Sequence, residues 1–182
     1  VMNHVSGIKQ DPEKYINFIK NYKNIKKEKL IKHNKNNFIY SNLGYMLLGV
    51  LIETVTNMTY QEFVKNNILQ PLKMNNSGFD KTNITHYTSK KKKLTKKQDS
   101  ERFKSVSDGG LKSCVSDLIK FKKFPTLLKN KSLLKKLYIF YEDKEYFIGH
   151  NGNTTGIKSN LSIKYDKKWK NKDIEIEFST NI

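Results

Sequence analysis

The chain has 182 residues, 36% of them hydrophobic, and a formal net charge of +18. That is one or at most two domains' worth, with no Gly-X-Y period, no sustained heptad and no apolar run longer than residues 45–52, so collagen, coiled-coil and membrane-spanning classes are excluded. All but one of the 35 basic residues are Lys, Arg102 being the exception, whereas nucleic-acid readers normally use both types.

The charge has a blander source. Lys, Asn, Ile, Tyr and Phe, all with AT-rich codons, make up half the chain, and Ala is absent. We therefore read the basic excess mainly as compositional bias over a soluble globular chain, although it creates a positive field either way. The single cysteine, Cys114, rules out an internal disulfide framework and a Cys-based zinc cluster. The chain starts at Val1 without a signal-peptide pattern and stops straight after the strand-like residues 174–178, so it is expected to be an interior piece of a longer protein.

In chain order, Tyr15, Ile16, Phe18, Ile19, Tyr22, Ile25, Leu30 and Ile31 recur at helical spacing, predicting one or two amphipathic helices over 12–32 with Pro12 in the first turn. Ser41 and Asn42 are suitable N-caps for a second helix. Tyr45, Leu48, Leu51 and Ile52 follow at helical spacing as far as Glu53, and this helix is expected to be substantially buried. A short helix over 60–69 should stop before Pro71. Residues 80–104 are dominated by Lys, Thr and Ser and are predicted to form an exposed loop. Asp108-Gly109-Gly110 should make a tight turn, and Ser116 should cap a helix ending near Pro125. Two antiparallel hairpins complete the pattern, 138–141 with 146–150 and 157–165 with 173–180. The fold class is thus α/β in the α+β sense, a helical lobe over about residues 10–130 beside antiparallel strands over 137–180.

No metal site or cofactor is expected. His4, His33, His86 and His150 are widely separated, with no spacing that would bring two ligands to one ion, and there is no Walker or dinucleotide-binding glycine pattern. Two stretches carry more information. In Tyr40-Ser41-Asn42 a Tyr and an Asn two residues apart sit at the mouth of a helix, where both side chains could face a cleft. In residues 149–156, Gly149-His150-Asn151-Gly152-Asn153-Thr154-Thr155-Gly156 joins two predicted strands, where glycines would let a substrate approach the backbone. The residues alone also allow Tyr40 as a core aromatic, Asn42 as an N-cap and His150 as an ordinary strand residue. Ser113 and Asp117 read as structural, a turn and a helix start.

With these residues the chain resembles the serine beta-lactamase and penicillin-binding-protein superfamily, in its class C, DD-peptidase and esterase branch. His4-Val5-Ser6-Gly7-Ile8 is similar to that family's His-Thr-Ser-Gly-Leu segment, and Tyr40-Ser41-Asn42 with the following helix to its Tyr-x-Asn motif. Pro71-Leu72-Lys73-Met74, Gly109-Gly110-Leu111-Lys112-Ser113 and Gly149-His150-Asn151-Gly152 match three further segments in the same order, the last being the His-x-Gly strand.

The resemblance implies a beta-lactamase/transpeptidase-like fold, incomplete here, and acyl transfer to a serine. Tyr40 would carry the proton, and Asn42 would orient the family's Lys and hold the substrate amide. His150 would hydrogen-bond Tyr40 or the substrate carboxylate, Gly152 would leave room for substrate, and the Asn153 N–H would be one oxyanion-hole donor. A phenol with an ordinary pKa of about 10 needs nearby ammonium groups to act as a base near neutrality. The family's Ser-x-x-Lys helix precedes the His-Thr-Ser-Gly segment, so the nucleophile is expected upstream of Val1. The spurious matches at Ser6, Ser89 and Ser132 lie in a turn, in the charged loop and after Tyr40 in the chain. The partner implied is a small-molecule or peptide amide or ester, and the location extracytoplasmic or membrane-anchored. The rival readings are a non-catalytic binding module and a basic protein for nucleic acid or anionic polymers.

Overall fold

The computed structural model describes residues 4, 6, 8, 38–80, 86–90, 93–97, 106–128, 139–142, 145–154, 157–166, 168 and 170–179. The helices expected over 12–32 and the serine at 132 lie outside the described residues.

Helix α1, Asn42–Thr56, begins where the sequence places it. The Ser41 hydroxyl accepts the Gly44 N–H, satisfying one of the donors that a helix start leaves open. It ends at Asn57, whose backbone is left-handed at φ 53°, a conformation Asn tolerates better than most residues. The buried stripe differs from the expected one. Leu43, Gly44, Met46 and Gly49 face inward, whereas Leu51 and Val55 are exposed. Periodicity fixed the helix but not its rotation, because apolar residues occur on more than one side of it. Leu43 and Met46 pack with Ile8, Leu47 and Val50.

Helix α2, Tyr60–Val64, opens with a reciprocal capping box: Thr59 accepts the Glu62 N–H and the Glu62 carboxylate accepts the Thr59 N–H. It continues as a π-helical turn, Lys65–Leu69, before Pro71. Val64, Leu69, Leu72 and Met74 form the larger core cluster, flanked by Phe79, Leu118, Phe121 and Phe124. Full burial of such a side chain contributes roughly 1.5–3 kcal/mol, so this cluster is the helical lobe's main anchor.

Helix α3, Val115–Phe121, starts one residue before the expected cap. Cys114 takes the N-cap position with no side-chain cap bond, which leaves Ser116 inside the helix. A 3-10 turn, Phe124–Leu127, follows around Pro125. The turn at 106–110 forms as expected, closed by the Gly110 N–H donating to the Val106 carbonyl.

The Lys-rich stretch is not wholly a loop. Strands β1, His86–Lys90, and β2, Lys93–Lys97, pair antiparallel with Thr88 opposite Thr95. With no apolar alternation the sequence carried no strand signal there, and the ladder rests on backbone pairing.

Strands β3, Ile139–Glu142, β4, Glu145–Thr154, β5, Ile157–Tyr165, and β6, Asn171–Ser179, form one antiparallel sheet in sequential order. The two expected hairpins are therefore parts of a single meander, because Gly149–Asn153, expected as a connection, continues β4 and pairs with β5. Alternation gives the sheet two faces. Ile148, His150, Leu161, Ile163, Tyr165, Ile174 and Ile176 share one, while Phe147, Asn160, Lys164, Asp173, Glu175 and Glu177 share the other. Ile163 and Tyr165 are fully buried, and the Tyr165 hydroxyl donates to the Lys122 carbonyl at 3.0 Å, tying the sheet to the end of α3. Burial pushes the Tyr165 hydroxyl's pKa well above the ordinary phenol value. Among the described residues no helix is long and apolar enough to cross a membrane.

Candidate active site

The site is built where the segment before α1 meets β4. His4 is buried, at 2% exposure, and clamps that segment twice. Its carbonyl accepts the Ile39 N–H at 2.8 Å, and its Nδ1 accepts the Ser41 N–H at 3.0 Å. The His4 backbone is left-handed at φ 54°, which costs a non-glycine residue about 1 kcal/mol or more and persists only where surrounding bonds hold it.

Aromatic rings enclose the imidazole. The Tyr40 ring lies 4.4 Å from it centroid to centroid, Tyr45 5.2 Å, and Phe38 meets it edge-on at 5.4 Å. Burial, and then the nearby His150 charge, lower the His4 pKa below the usual imidazole value, so the neutral ring is favoured. As an acceptor at Nδ1, that neutral ring carries its proton on Nε2. Burial and the Tyr40 charge raise the Tyr45 pKa.

Tyr40 is the opposite case. Its ring is 44% exposed and reaches across to β4, where the His150 ring lies 6.2 Å away at an interplanar angle of 36°. Asn42 is the first residue of α1 and half-buried, two residues from Tyr40 as the motif requires. His150, Gly152 and Asn153 are exposed in β4. Tyr40, before α1, and His150, in β4, are thus neighbours although 110 positions apart in sequence.

Strand β3 pairs only with Glu145–Ile148, so no described strand lies along the same edge of Gly149–Thr154.

The glycines of this strand are not equivalent. A Cβ at Gly149 would come within 2.5 Å of the Leu161 backbone oxygen, which cannot move without breaking the sheet. A Cβ at Gly152 would meet only the Ser159 hydroxyl, which can rotate away. The close approach that the sequence suggested for a substrate is, at Gly149, an approach between strands.

Behind the site, Ser107 donates to the Tyr45 carbonyl at 3.1 Å and fixes the 106–110 turn to α1. Farther back, Asp117 is fully buried and accepts from the Asn76 N–H, the Ser77 hydroxyl and Lys120, at 2.7, 2.9 and 2.7 Å. Ser113 in turn bonds Ser77. Both Ser113 and Asp117 are structural, as their turn and helix-start positions suggested. The sequence did not single out His4 or Ser107 as contributors to the site. His4 had only its place in a motif as a signal, and Ser107 had none. Among the described residues no group of His, Cys, Asp and Glu could hold a metal ion.

Comparison with known proteins places this geometry in a family. A Beta-lactamase family model matches residues 1–149. A stretch of 46 residues, 25% of this chain and 9% of the relative, is 44% identical to Protein flp of Staphylococcus aureus (strain NCTC 8325 / PS 47). Among solved structures, the octameric penicillin-binding protein homologue from Pyrococcus abyssi superposes with a TM-score of 0.68 at 24% identity, covering 99% of this chain and 50% of its own. The D-amino acid amidase from Ochrobactrum anthropi SV3 gives a TM-score of 0.66 at 16% identity, covering 99% and 62%. At those identities the two structures show the fold, of which this chain spans between half and two thirds. Since the family model accounts for most of its length, from the buried His4 through the opening half of β4, the chain belongs to the beta-lactamase family.

Proposed function

We propose that this chain supplies one side of a serine hydrolase site that cleaves amide or ester bonds through a serine acyl-enzyme. The helical residues and the sheet would be parts of one incomplete domain, and the nucleophile would come from residues preceding Val1 in the complete protein. The observation that carries the reading is the meeting of the exposed residues Tyr40 and His150, their rings 6.2 Å apart, at the part of β4 that extends beyond β3. The hydroxyls of Ser41, Ser77, Ser107 and Ser113 are engaged with backbone or side-chain partners, which favours a serine from elsewhere in the protein.

In the proposed step, Tyr40, present as a phenolate stabilised by an ammonium group of the complete protein, takes the proton from the serine hydroxyl as the serine oxygen bonds to the substrate carbonyl carbon. The bond to the leaving nitrogen or oxygen then breaks, and the proton passes from Tyr40 to that leaving atom. Asn42 holds the substrate amide, His150 steadies Tyr40 or a substrate carboxylate, and Gly152 leaves space beside the bound acyl group. The Asn153 N–H, in the part of β4 beyond its pairing with β3, donates to the oxyanion, where a lost donor typically costs about 10²–10³ in rate. The substrate class is a small amide or ester, and the D-amino acid amidase with the same fold is named for such a reaction.

The test is to incubate the complete protein with a fluorescent penicillin and with a fluorophosphonate, then locate the adduct by peptide mass mapping. Acylation of a serine upstream of Val1 is expected. Absence of any adduct, with a D-amino acid peptide still bound, would replace the reading by that of a non-catalytic binding module.

A further inference from the structure

The imidazole of His4 holds the Tyr40-Ser41-Asn42 segment by its backbone. Ser41 is 1% exposed, so its amide has no access to water, and that amide donates to His4 Nδ1 at 3.0 Å. The residue on either side of Ser41 is one the proposed reaction uses. We propose that His4 is a positioning residue for Tyr40: its neutral ring accepts the Ser41 N–H and stacks against the Tyr40 ring, and its protonation releases the turn that aims both Tyr40 and Asn42.

The chemistry of the ring makes this a switch. Neutral imidazole with its proton on Nε2 offers Nδ1 as a lone pair, whereas imidazolium presents an N–H at Nδ1, which would face the Ser41 N–H donor to donor. Among the described residues the titratable groups around His4 are Tyr40 from the segment before α1, Tyr45 from α1 and His150 from β4. Burial and the His150 charge both oppose the imidazolium. The surroundings thus keep His4 in its accepting form near neutrality, and acid removes that form. The consequence for catalysis rests on the reading of Tyr40 given above, whereas the geometry of the turn does not.

The experiment is a pH titration of the isotopically labelled protein by nuclear magnetic resonance. The His4 ring is expected to show a bare Nδ1 and a protonated Nε2 at neutral pH, with a midpoint below the ordinary value of about 6.5. The Ser41 amide should move with that same midpoint. Because His150 is also close to Tyr40, the Tyr40 ring signal is followed in His150→Gln as well, where its step with His4 should remain. His4→Asn places Oδ1 where Nδ1 stands, so it should preserve the Ser41 amide position and abolish its pH step, while His4→Phe should displace it at every pH.

In the complete protein, the rate of labelling by the serine probe should fall about tenfold per pH unit below the His4 midpoint, and His4→Asn should lose that limb. A Ser41 amide that stays flat through the His4 titration, or a proton found on Nδ1 at neutral pH, overturns the proposal in the wild-type protein without recourse to a variant. Full-rate labelling of Tyr40→Phe with the amide coupling intact would remove the proton-carrier role and leave the positioning of the turn. A flat amide with Tyr40→Phe impaired would do the reverse.

Discussion

Asp117 and His4 are both buried polar groups, and the regions around them hold them in opposite charge states. Around Asp117, burial alone would raise the carboxyl pKa, but donation from Lys120, Ser77 and the Asn76 N–H outweighs it and holds the pKa below the ordinary value. Around His4, burial and a like charge both act against ionisation, and acceptance of the Ser41 N–H at Nδ1 requires the neutral form. The first region is closed on itself and joins residues 74–78 to α3. The second reaches β4 at His150 and joins the N-terminal segment to Tyr40. A buried charge with its donors supplied serves as scaffold here, and a buried neutral ring serves as a support that acid can withdraw.

The largest stability effect should come from removing the scaffold charge. Asp117→Ala leaves the Asn76 N–H and the Ser77 hydroxyl without their acceptor, and is expected to destabilise the protein by about 2–4 kcal/mol, read as a shift in the urea midpoint. A loss under about 0.5 kcal/mol would mean that the two regions do not differ as described. Next is the seam between them. Gly49→Ala would bring a Cβ against the Ser107 hydroxyl and within 2.6 Å of Ser107 Cβ, displacing its bond to the Tyr45 carbonyl, for a cost of about 1–3 kcal/mol. His4→Phe should cost about 1–2 kcal/mol at neutral pH through the lost acceptor, and His4→Asn less.

Acid separates the two regions most cleanly. The folded pKa of His4 lies below its unfolded value, so the stability it contributes is fully present above about pH 6.5 and is lost as pH falls from there through the folded pKa. Asp117 also has a depressed folded pKa, so its contribution is present above about pH 3.9 and disappears only at lower pH. Thermal melts against pH should therefore fall in two steps. The upper step should vanish in His4→Asn and the lower one in Asp117→Asn. One merged step near the carboxylate range would show that His4 is not held neutral by its surroundings.

What was legible in the sequence follows from where the information sits. Ser41 as a cap, the stop before Pro71 and the turn at Gly109-Gly110 are local signals, and all three appear in the structure. The rotation of α1 was not local. Tyr45, Leu48, Leu51 and Ile52 made an acceptable stripe, but packing chose Leu43 and Met46, and left Leu51 exposed. The β1–β2 pairing rests on backbone bonds that Lys-rich residues neither favour nor forbid. Of the site, Tyr40 and His150 could be named from short motifs, yet their approach to 6.2 Å depends on the sheet packing against α3 through Tyr165. His4 could be assigned no role because its contribution is a single acceptor to a backbone amide 37 positions away, and no spacing rule encodes that.

The proton-carrying role proposed for Tyr40 is read from the rate at which a fluorophosphonate labels the complete protein. Tyr40→Phe keeps the ring against His4 and removes only the hydroxyl. Its labelling rate is expected to fall by about 10²–10⁴ while the Ser41 amide signal stays in place. Labelling at the wild-type rate would contradict that role.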